Sequence, residues 1–566
     1  MYQQHADVCV IGKEGLTVRL EFVTYKDLGS MYVVYPDGPQ ISCYENTLLT
    51  VLREDSSKES VEKILDSEEL RELIDRQRIL MLFPNPENGV WDTKLSKKHQ
   101  DQMWTVMSMA AKFNSRCEEN NFKPYHNMHN ARYYLGIGSG AVMAQSIAAV
   151  YPVNVAGILT IGGGLSAETM GMTVHEPVSA VLWNAPEETE EFFKKLNQTD
   201  SGADGRYFSA RNDAQFVLTE ARPDAELNAG AVIYGWRHLF SRVCRMNSSF
   251  YGQLFPRTVR DDYRFIVHEH ENILGDGREH TWFEYIPQSV RENPDKKAPL
   301  LMFLHGGADS PANIANSIKL HELAEEEGFI LVHPAATDDV FWNQDMDPRL
   351  NDDCGFLEKL LDYMIAHYPV DTMRVYMGGF SNGSSMSQVF AMTHPDRVAA
   401  VFANNSASYT YTHTRAFQIA GAKKLEYDYR MPVWYMYGSR DLEFPVVRGC
   451  GQQNQYDFWK GYNNITIRLT PYANTQEAGG VGVPGDHIEF YQPSRRHPAN
   501  TYMTNRFYSN DENELNLYNY TLCVGKGHDS VPYEARLGWN YIKQFRRLPD
   551  GSLEYTPNGG EHGYEF

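Results

Sequence analysis

Five consecutive residues, Gly379-Phe380-Ser381-Asn382-Gly383, form a G-x-S-x-G pattern between an apolar run (374–377) and a helical pattern that opens near Ser384. A serine hydroxyl attacks a carbonyl only if a base takes its proton and the backbone bends sharply enough to present Oγ. Flanking glycines permit that strained strand-to-helix turn, and the helix N-terminus adds positive dipole beside the nucleophile. The base and its orienting acid are expected downstream, in the order Ser, acid, His. The apolar run 432–437 leads into Gly438-Ser439-Arg440-Asp441, which puts Asp441 just past a strand end, with Glu443 as the rival on the same loop. Leu522-Cys523-Val524 leads into Gly525-Lys526-Gly527-His528, a glycine-flanked loop after a late strand; His487 and His497 have no such setting. The oxyanion needs preorganised donors. Leu304-His305-Gly306-Gly307 closes an earlier apolar strand, so the hole is assigned to the backbone N–H groups of Gly307 and Asn382. His305, Gly306 and Trp342 are the candidate substrate contacts.

Together with Trp342-Asn343, Asp352-Asp353-Cys354-Gly355-Phe356 and the run 369–376, these residues resemble the polyhydroxybutyrate depolymerase and feruloyl esterase group of α/β-hydrolases over about residues 280–545. The resemblance implies ester hydrolysis through an acyl-serine intermediate, with Ser381, Asp441 and His528 as triad, acting on a small ester or acylated saccharide. The chemistry calls for no cofactor and no metal. The same triad serves amide or peptide cleavage, and a carbohydrate- or ester-binding protein with a silent site is the non-enzymatic alternative.

The elements that must position these groups occur twice. Residues 47–84 and 299–334 each read as an apolar strand, a polar turn, a helix rich in Leu, Glu and Ala, and a second apolar strand ending in Pro. Residues 133–161 match 375–403, so Leu52 answers Leu304 (offset 252), Pro84 answers Pro334 (250) and Gly138 answers Ser381 (243). Strands alternating with helices at this spacing predict parallel sheets built from βαβ units. The expected fold is α/β: two α/β-hydrolase-like domains, each a mostly parallel sheet flanked by helices, spanning 1–250 and 251–566.

In the first copy Gly138 stands at the position of Ser381, Arg53-Glu54-Asp55 replaces His305-Gly306-Gly307, and Ala225 falls where His528 does. That half is expected to be catalytically silent. Gly136-x-Gly138-x-x-Ala141 also fits a dinucleotide fingerprint, but residues 155–164 lack the acid that would hold a ribose. Between acid and base the second copy is longer by 50 residues (441–528 against 188–225), an excess expected to form a substrate wall or lid that includes 479–485.

Composition narrows the partners. With 52 Lys and Arg against 73 Asp and Glu, the net charge of −21 and the lack of a basic patch speak against nucleic acid and anionic membranes. The uncharged stretch 133–167 carries Gln145, Pro152 and Asn154 and reads as two buried strands around a helix, not a membrane span. The seven cysteines include no C-x-x-C and predict free thiols. Residues 1–20 lack a sustained apolar core, so the expected location is cytoplasmic, with non-classical export left open. A homo-oligomer through the first domain is a further expectation. His268-Glu269-His270-Glu271 is read as a solvated strand edge rather than a metal site. Asp338-Asp339 and Asp352-Asp353 are read as helix-start and loop residues, and tyrosines 502–520 as a substrate-stacking face or apolar surface cover.

Overall fold

The structure, a computed structural model, describes residues 9–13, 16–36, 47–119, 130–259, 262, 264–337, 341–406, 413–442, 451–466, 487–491 and 502–557. The chain forms two compact units. Met1–Met246 with Tyr251–Tyr263 makes the first; Arg264–Phe566 with the short segment Asn247–Phe250 makes the second. The division thus falls at 263/264 rather than at the 250/251 expected from the repeat. The reason is that β12 (Val243–Met246) and β13 (Gln253–Pro256) pair as an antiparallel hairpin that stays with the first unit.

The first unit is built on an eleven-stranded sheet. Its block of parallel pairs is β4 (Thr47–Leu52), β5 (Ile79–Pro84), β6 (Arg132–Ile137), β7 (Gly157–Ile161), β8 (Ser179–Trp183) and β11 (Phe216–Glu220), in spatial order 5-4-6-7-8-11. Antiparallel strands extend both sides: β1 (Cys9–Lys13), β2 (Leu16–Tyr25) and β3 (Gly29–Pro36) beyond β5, and β10 (Arg206–Phe208) and β9 (Ser201–Ala203) beyond β11. The strands β4, β5, β7 and β8 are buried along their whole length, which is why they read as continuous apolar runs without alternation.

The second unit repeats that order. β17 (Ile330–Pro334), β16 (Ala298–Leu304), β18 (Val370–Phe380), β19 (Ala400–Asn404), β20 (Val433–Gly438) and β23 (Asn516–Cys523) form its parallel block. β15 (His280–Tyr285) and β14 (Ile266–Glu271) add antiparallel strands at one edge, and β22 (Tyr502–Tyr508) and β21 (His487–Tyr491) at the other. Register repeats as well: Leu52 pairs with Gly136 as Leu304 pairs with Gly379. The fold is α/β, and each sheet is mixed, with a parallel centre and antiparallel flanks.

The uncharged stretch 133–167 resolves into β6, helix α1 (Ser139–Val150) and β7. Helix α1 has 12 residues, and no helix among the described residues is long and apolar enough to cross a membrane. Tyr502, Tyr518 and Tyr520 are core residues packed on Tyr533, Tyr456 and Tyr437, so they form neither surface cover nor a stacking face for a ligand. His268 stacks on Trp282 and its Nε2 lies 3.2 Å from Glu284, while His270 meets Glu279.

Each unit turns from its central strand into a helix at the same kind of corner. Gly138 (φ 59, ψ −122) precedes α1, and Ser381 (φ 52, ψ −122) precedes α3 (Asn382–Thr393). The approach of helix to neighbouring strand leaves no space for a Cβ at Gly140, which would sit 2.1 Å from the Leu52 carbonyl oxygen. Replacing Gly140 with Ala is therefore expected to destabilise the first unit by about 1–3 kcal/mol through forced backbone shifts. Gly421, on a helix with nothing within 4 Å of an added Cβ, serves as control. Gly421→Ala should instead stabilise by about 0.5–1 kcal/mol, and calorimetry on both variants checks the contrast.

Candidate active site

Ser381 sits at the end of β18, where a positive φ is uncommon for a residue with a side chain and stores strain. Its N–H donates to the Asn404 carbonyl at 2.9 Å, and its own carbonyl accepts from Ser385 N–H at 3.1 Å, so both sides of the corner are tied. The second glycine of the motif, Gly383, is required by packing: a Cβ there would lie 2.1 Å from the His305 carbonyl oxygen. That contact also brings the 304–307 loop to the nucleophile.

Asp441 and His528 arrive from the ends of adjacent parallel strands, β20 and β23. Their loops are laced together: Ser439 N–H donates to Cys523 O (3.0 Å), Arg440 N–H to Lys526 O (2.9 Å) and Gly525 N–H to Ser439 Oγ (2.8 Å). In the resulting geometry His528 Nδ1 lies 2.9 Å from Asp441 Oδ2 and His528 Nε2 lies 2.9 Å from Ser381 Oγ. The imidazole is partly exposed, whereas the Asp441 side chain is wholly buried. A carboxylate on one ring nitrogen and a hydroxyl on the other is the arrangement in which the ring takes the hydroxyl proton. Glu443 lies outside the described residues, as do His497, Asp338-Asp339 and the 479–485 segment.

Asn382 opens α3, so its N–H has no intrahelical acceptor. Gly306 abuts the nucleophile, since a Cβ on it would lie 3.3 Å from Ser381 Cβ. The N–H groups of Gly307 and Asn382 meet no acceptor among the described residues.

The expected substrate contacts from His305 and Trp342 are corrected by their burial. His305 is fully buried, with Nδ1 2.6 Å from Gly306 O, and Nε2 accepting from Ala336 N–H at 3.0 Å. Trp342 is 2% exposed; its indole N–H donates to His305 O (2.9 Å) and its backbone N–H to Asn382 Oδ1 (2.6 Å). Gly306 is buried beside them. These groups spend their hydrogen bonds on holding the oxyanion loop. Asp353 accepts from Thr337 N–H (3.1 Å) and from Asn343 N–H (2.7 Å), next to Trp342, and Asp352 caps a helix by accepting from Gly355 N–H.

Sequence reading missed a buried polar network behind the acid. Asn405 Nδ2 donates to Asp441 Oδ2 at 2.8 Å. Lys526, without solvent exposure, donates to Asn405 Oδ1 (2.7 Å), to Asp529 O (2.9 Å) and to Glu534 Oε1. Glu534 lies on α4 (Pro532–Ile542), and its other oxygen accepts from Asn404 Nδ2 (2.8 Å). An ammonium is only a donor, so Lys526 fixes which end of the Asn405 amide faces it and turns the NH2 toward Asp441. Burial pushes the carboxyls of Glu534 and Asp529 up, and Lys526 counters this in both. Asp529 also accepts from Asn247 N–H (2.7 Å), and Asn247 O accepts from Gly527 N–H (2.8 Å), so the segment Asn247–Phe250 braces both neighbours of His528. The only sequence hint was glycine at 527, where a Cβ would meet the Asn247 side chain at 2.5 Å.

In the first unit the corresponding corner carries no such set among the described residues. Ser139, one residue past the corner, donates to Glu54 Oε1 at 2.9 Å, and Ala225 follows the end of β11 at the distance from the strand at which His528 follows β23.

No family model matches the chain. Among curated proteins it is similar to the bifunctional acetylxylan esterase/xylanase XynS20E of Neocallimastix patriciarum, with 26% identity over 310 residues, covering 52% of this chain and 37% of that protein. It is also similar to feruloyl esterase B of Talaromyces stipitatus, 29% identical over 121 residues, covering 20% of this chain and 33% of that one. The chain thus spans little more than a third of the length of these relatives. Among solved structures, the acetyl xylan esterase from Aspergillus awamori aligns with a TM-score of 0.36 and 16% identity, over 49% of this chain and 99% of that one.

Two outcomes follow from the site. Removing the Asn405 amide leaves a buried carboxylate short of one donor, so Asn405→Ala should lower kcat about 10- to 100-fold with KM little changed. Steady-state kinetics on an ester substrate checks this. Asp309, whose backbone N–H donates to Gly306 O, is pushed up to about 7 by burial, the Asp529 charge adding to the effect. A carboxyl raised in the folded state contributes stability that is full below about pH 4 and is lost as pH rises through about 7. Wild-type stability should therefore carry a downward contribution across that window, on the order of 4 kcal/mol at most, which Asp309→Asn removes. Urea melts from pH 4 to 8 on both proteins measure it.

Proposed function

We propose that the second unit is a serine hydrolase of carboxylic esters that works through an acyl-serine intermediate. The observation that carries this reading is His528 bridging Ser381 Oγ and Asp441 Oδ2 at 2.9 Å on each side. In this mechanism His528 Nε2 takes the Ser381 proton as Oγ attacks the ester carbonyl. The tetrahedral oxyanion is held by the N–H groups of Gly307 and Asn382, aided by the α3 dipole. His528 returns its proton to the leaving alcohol, water enters, and the same two transfers release the acid and restore Ser381. Asp441 holds the ring tautomer and stabilises the imidazolium, and the Asn405 amide donates to the same carboxylate oxygen.

The substrate class in this reading is an acylated saccharide. It is supported by the relatives, which are named acetylxylan esterase and feruloyl esterase. The first unit is read as a second copy of the same fold that keeps the corner and has lost the chemistry. The shared strand order, the similar backbone angles at Gly138 and Ser381, and Ala225 in place of a histidine support that reading.

The test is an assay of the full chain on acetylated and feruloylated saccharides, beside Ser381→Ala. Wild type should turn over at least one of them, and the variant should lose about 10⁴-fold or more in kcat. Activity retained in Ser381→Ala would remove the site, and activity confined to peptide amides would replace the ester reading.

A further inference from the structure

We propose that the first unit holds a ligand site of its own, a cavity of about 880 Å3 that takes a small anionic molecule bearing a carboxylate or phosphate group. The site is independent of the ester-hydrolase reading. The cavity lies against β8, β10 and β11 and helix α2 (Ala229–Gly235) with the turn Trp236–Phe240 that continues it. It therefore flanks the carboxyl ends of parallel strands, where open α/β sheets generally receive ligands. Its volume is that of a small-molecule site.

Its chemistry is set by donors that the protein leaves unused. Trp183 is 3% exposed and lines the cavity, yet its indole N–H has no hydrogen-bond partner among the described residues. The Nε of Arg222, also buried, has none either. The Arg222 guanidinium lies 4.1 Å from the Trp183 ring and 4.4 Å from the Tyr234 ring, and the His238 ring is tilted against Tyr234 at 4.2 Å. This is a preorganised clasp, with the ordering cost already met before a ligand arrives. A neighbouring cavity of about 630 Å3 shares Trp183, Arg222, Tyr234 and His238, so the clasp is reached from two sides.

The sign of the ligand follows from the charges around His238. Burial and the guanidiniums of Arg242, Arg206, Arg222 and Arg237 all hold its imidazole below the ordinary range, and the charges acting most strongly on it are all positive. Glu220 is already committed to Arg222 at 2.8 Å, and Arg237 to Glu69 at 2.7 Å. Asp204, Asp213 and Asp262 also line the cavity and keep its wall as a whole near neutral. The positive charge is thus local, at the clasp, in a chain whose net charge is −21. Arg206 and Arg242 are exposed there and able to close on an oxyanion with charge-assisted hydrogen bonds.

The test is calorimetric titration of the full chain at low salt with two probes, inorganic phosphate and benzoate, on wild type and on the double variant Arg206→Gln/Arg242→Gln. Both side chains are exposed, so the variant should keep the wild-type melting temperature. The expected result is saturable binding of one or both probes, weakened at least about tenfold in the variant. Preference for phosphate or for benzoate identifies which anion the clasp suits. No saturable binding of either probe overturns the proposal, and so does binding that the double variant leaves unchanged.

Discussion

The structure depends on one close approach: a helix that follows a central strand presses so tightly against the neighbouring strand end that only glycine fits between them. In the second unit this is Gly383 against the carbonyls of Leu304 and His305; in the first it is Gly140 against Leu52. The approach forces the residue at the corner into positive φ, lifts it clear of the sheet, and points the first N–H groups of the helix at it. Where that residue is Ser381, the strain presents a hydroxyl; where it is Gly138, the same corner is held with nothing to present.

A second constraint is electrical. An acid that orients a histidine must stay ionised while being shielded from water, and burial opposes that. The second unit meets the cost with a connected set of donors: His528 and Asn405 on Asp441, Lys526 behind Asn405, and Glu534 balancing Lys526. Each member has its partner, so a region with several buried charges remains compatible with a stable fold. The set also joins β19, the acid loop, the base loop and α4, which fixes His528 to Ser381 more firmly than either glycine-flanked loop would alone. The first unit spends buried charge differently. Arg257 is bonded to Tyr133, Phe240 and Thr47 and staples strands and helix together, while the Nε–H of Arg222 meets no acceptor among the described residues.

Much of this was legible in the sequence because local rules decide it. Fully buried parallel strands must read as unbroken apolar runs, and a strand-to-helix corner must carry glycines two residues either side. A base must follow a late strand on a loop free to bend. These pick out Ser381, His528 and an acid at Asp441 or Glu443, with Gly307 and Asn382 as oxyanion candidates, without reference to anything distant. What failed shared one cause. His305 and Trp342 were read as ligand contacts, yet both are buried and bond the oxyanion loop's own carbonyls. Tyrosines 502–520 were read as a substrate-stacking face or apolar surface cover, yet Tyr502, Tyr518 and Tyr520 pack in the core.

The sequence by itself determined the order of strands and helices, the twofold recurrence of that order, and the residues able to do chemistry, since periodicity, glycine spacing and side-chain type are local properties. Only the tertiary structure decided which polar residues are buried together. Lys526 reads as an ordinary loop charge, Asn405 as an ordinary strand end, and Asn247 lies 281 residues before His528 (528 − 247). Their roles come from the desolvation they share after folding. Burial depends on what packs from far along the chain, and no local pattern records it.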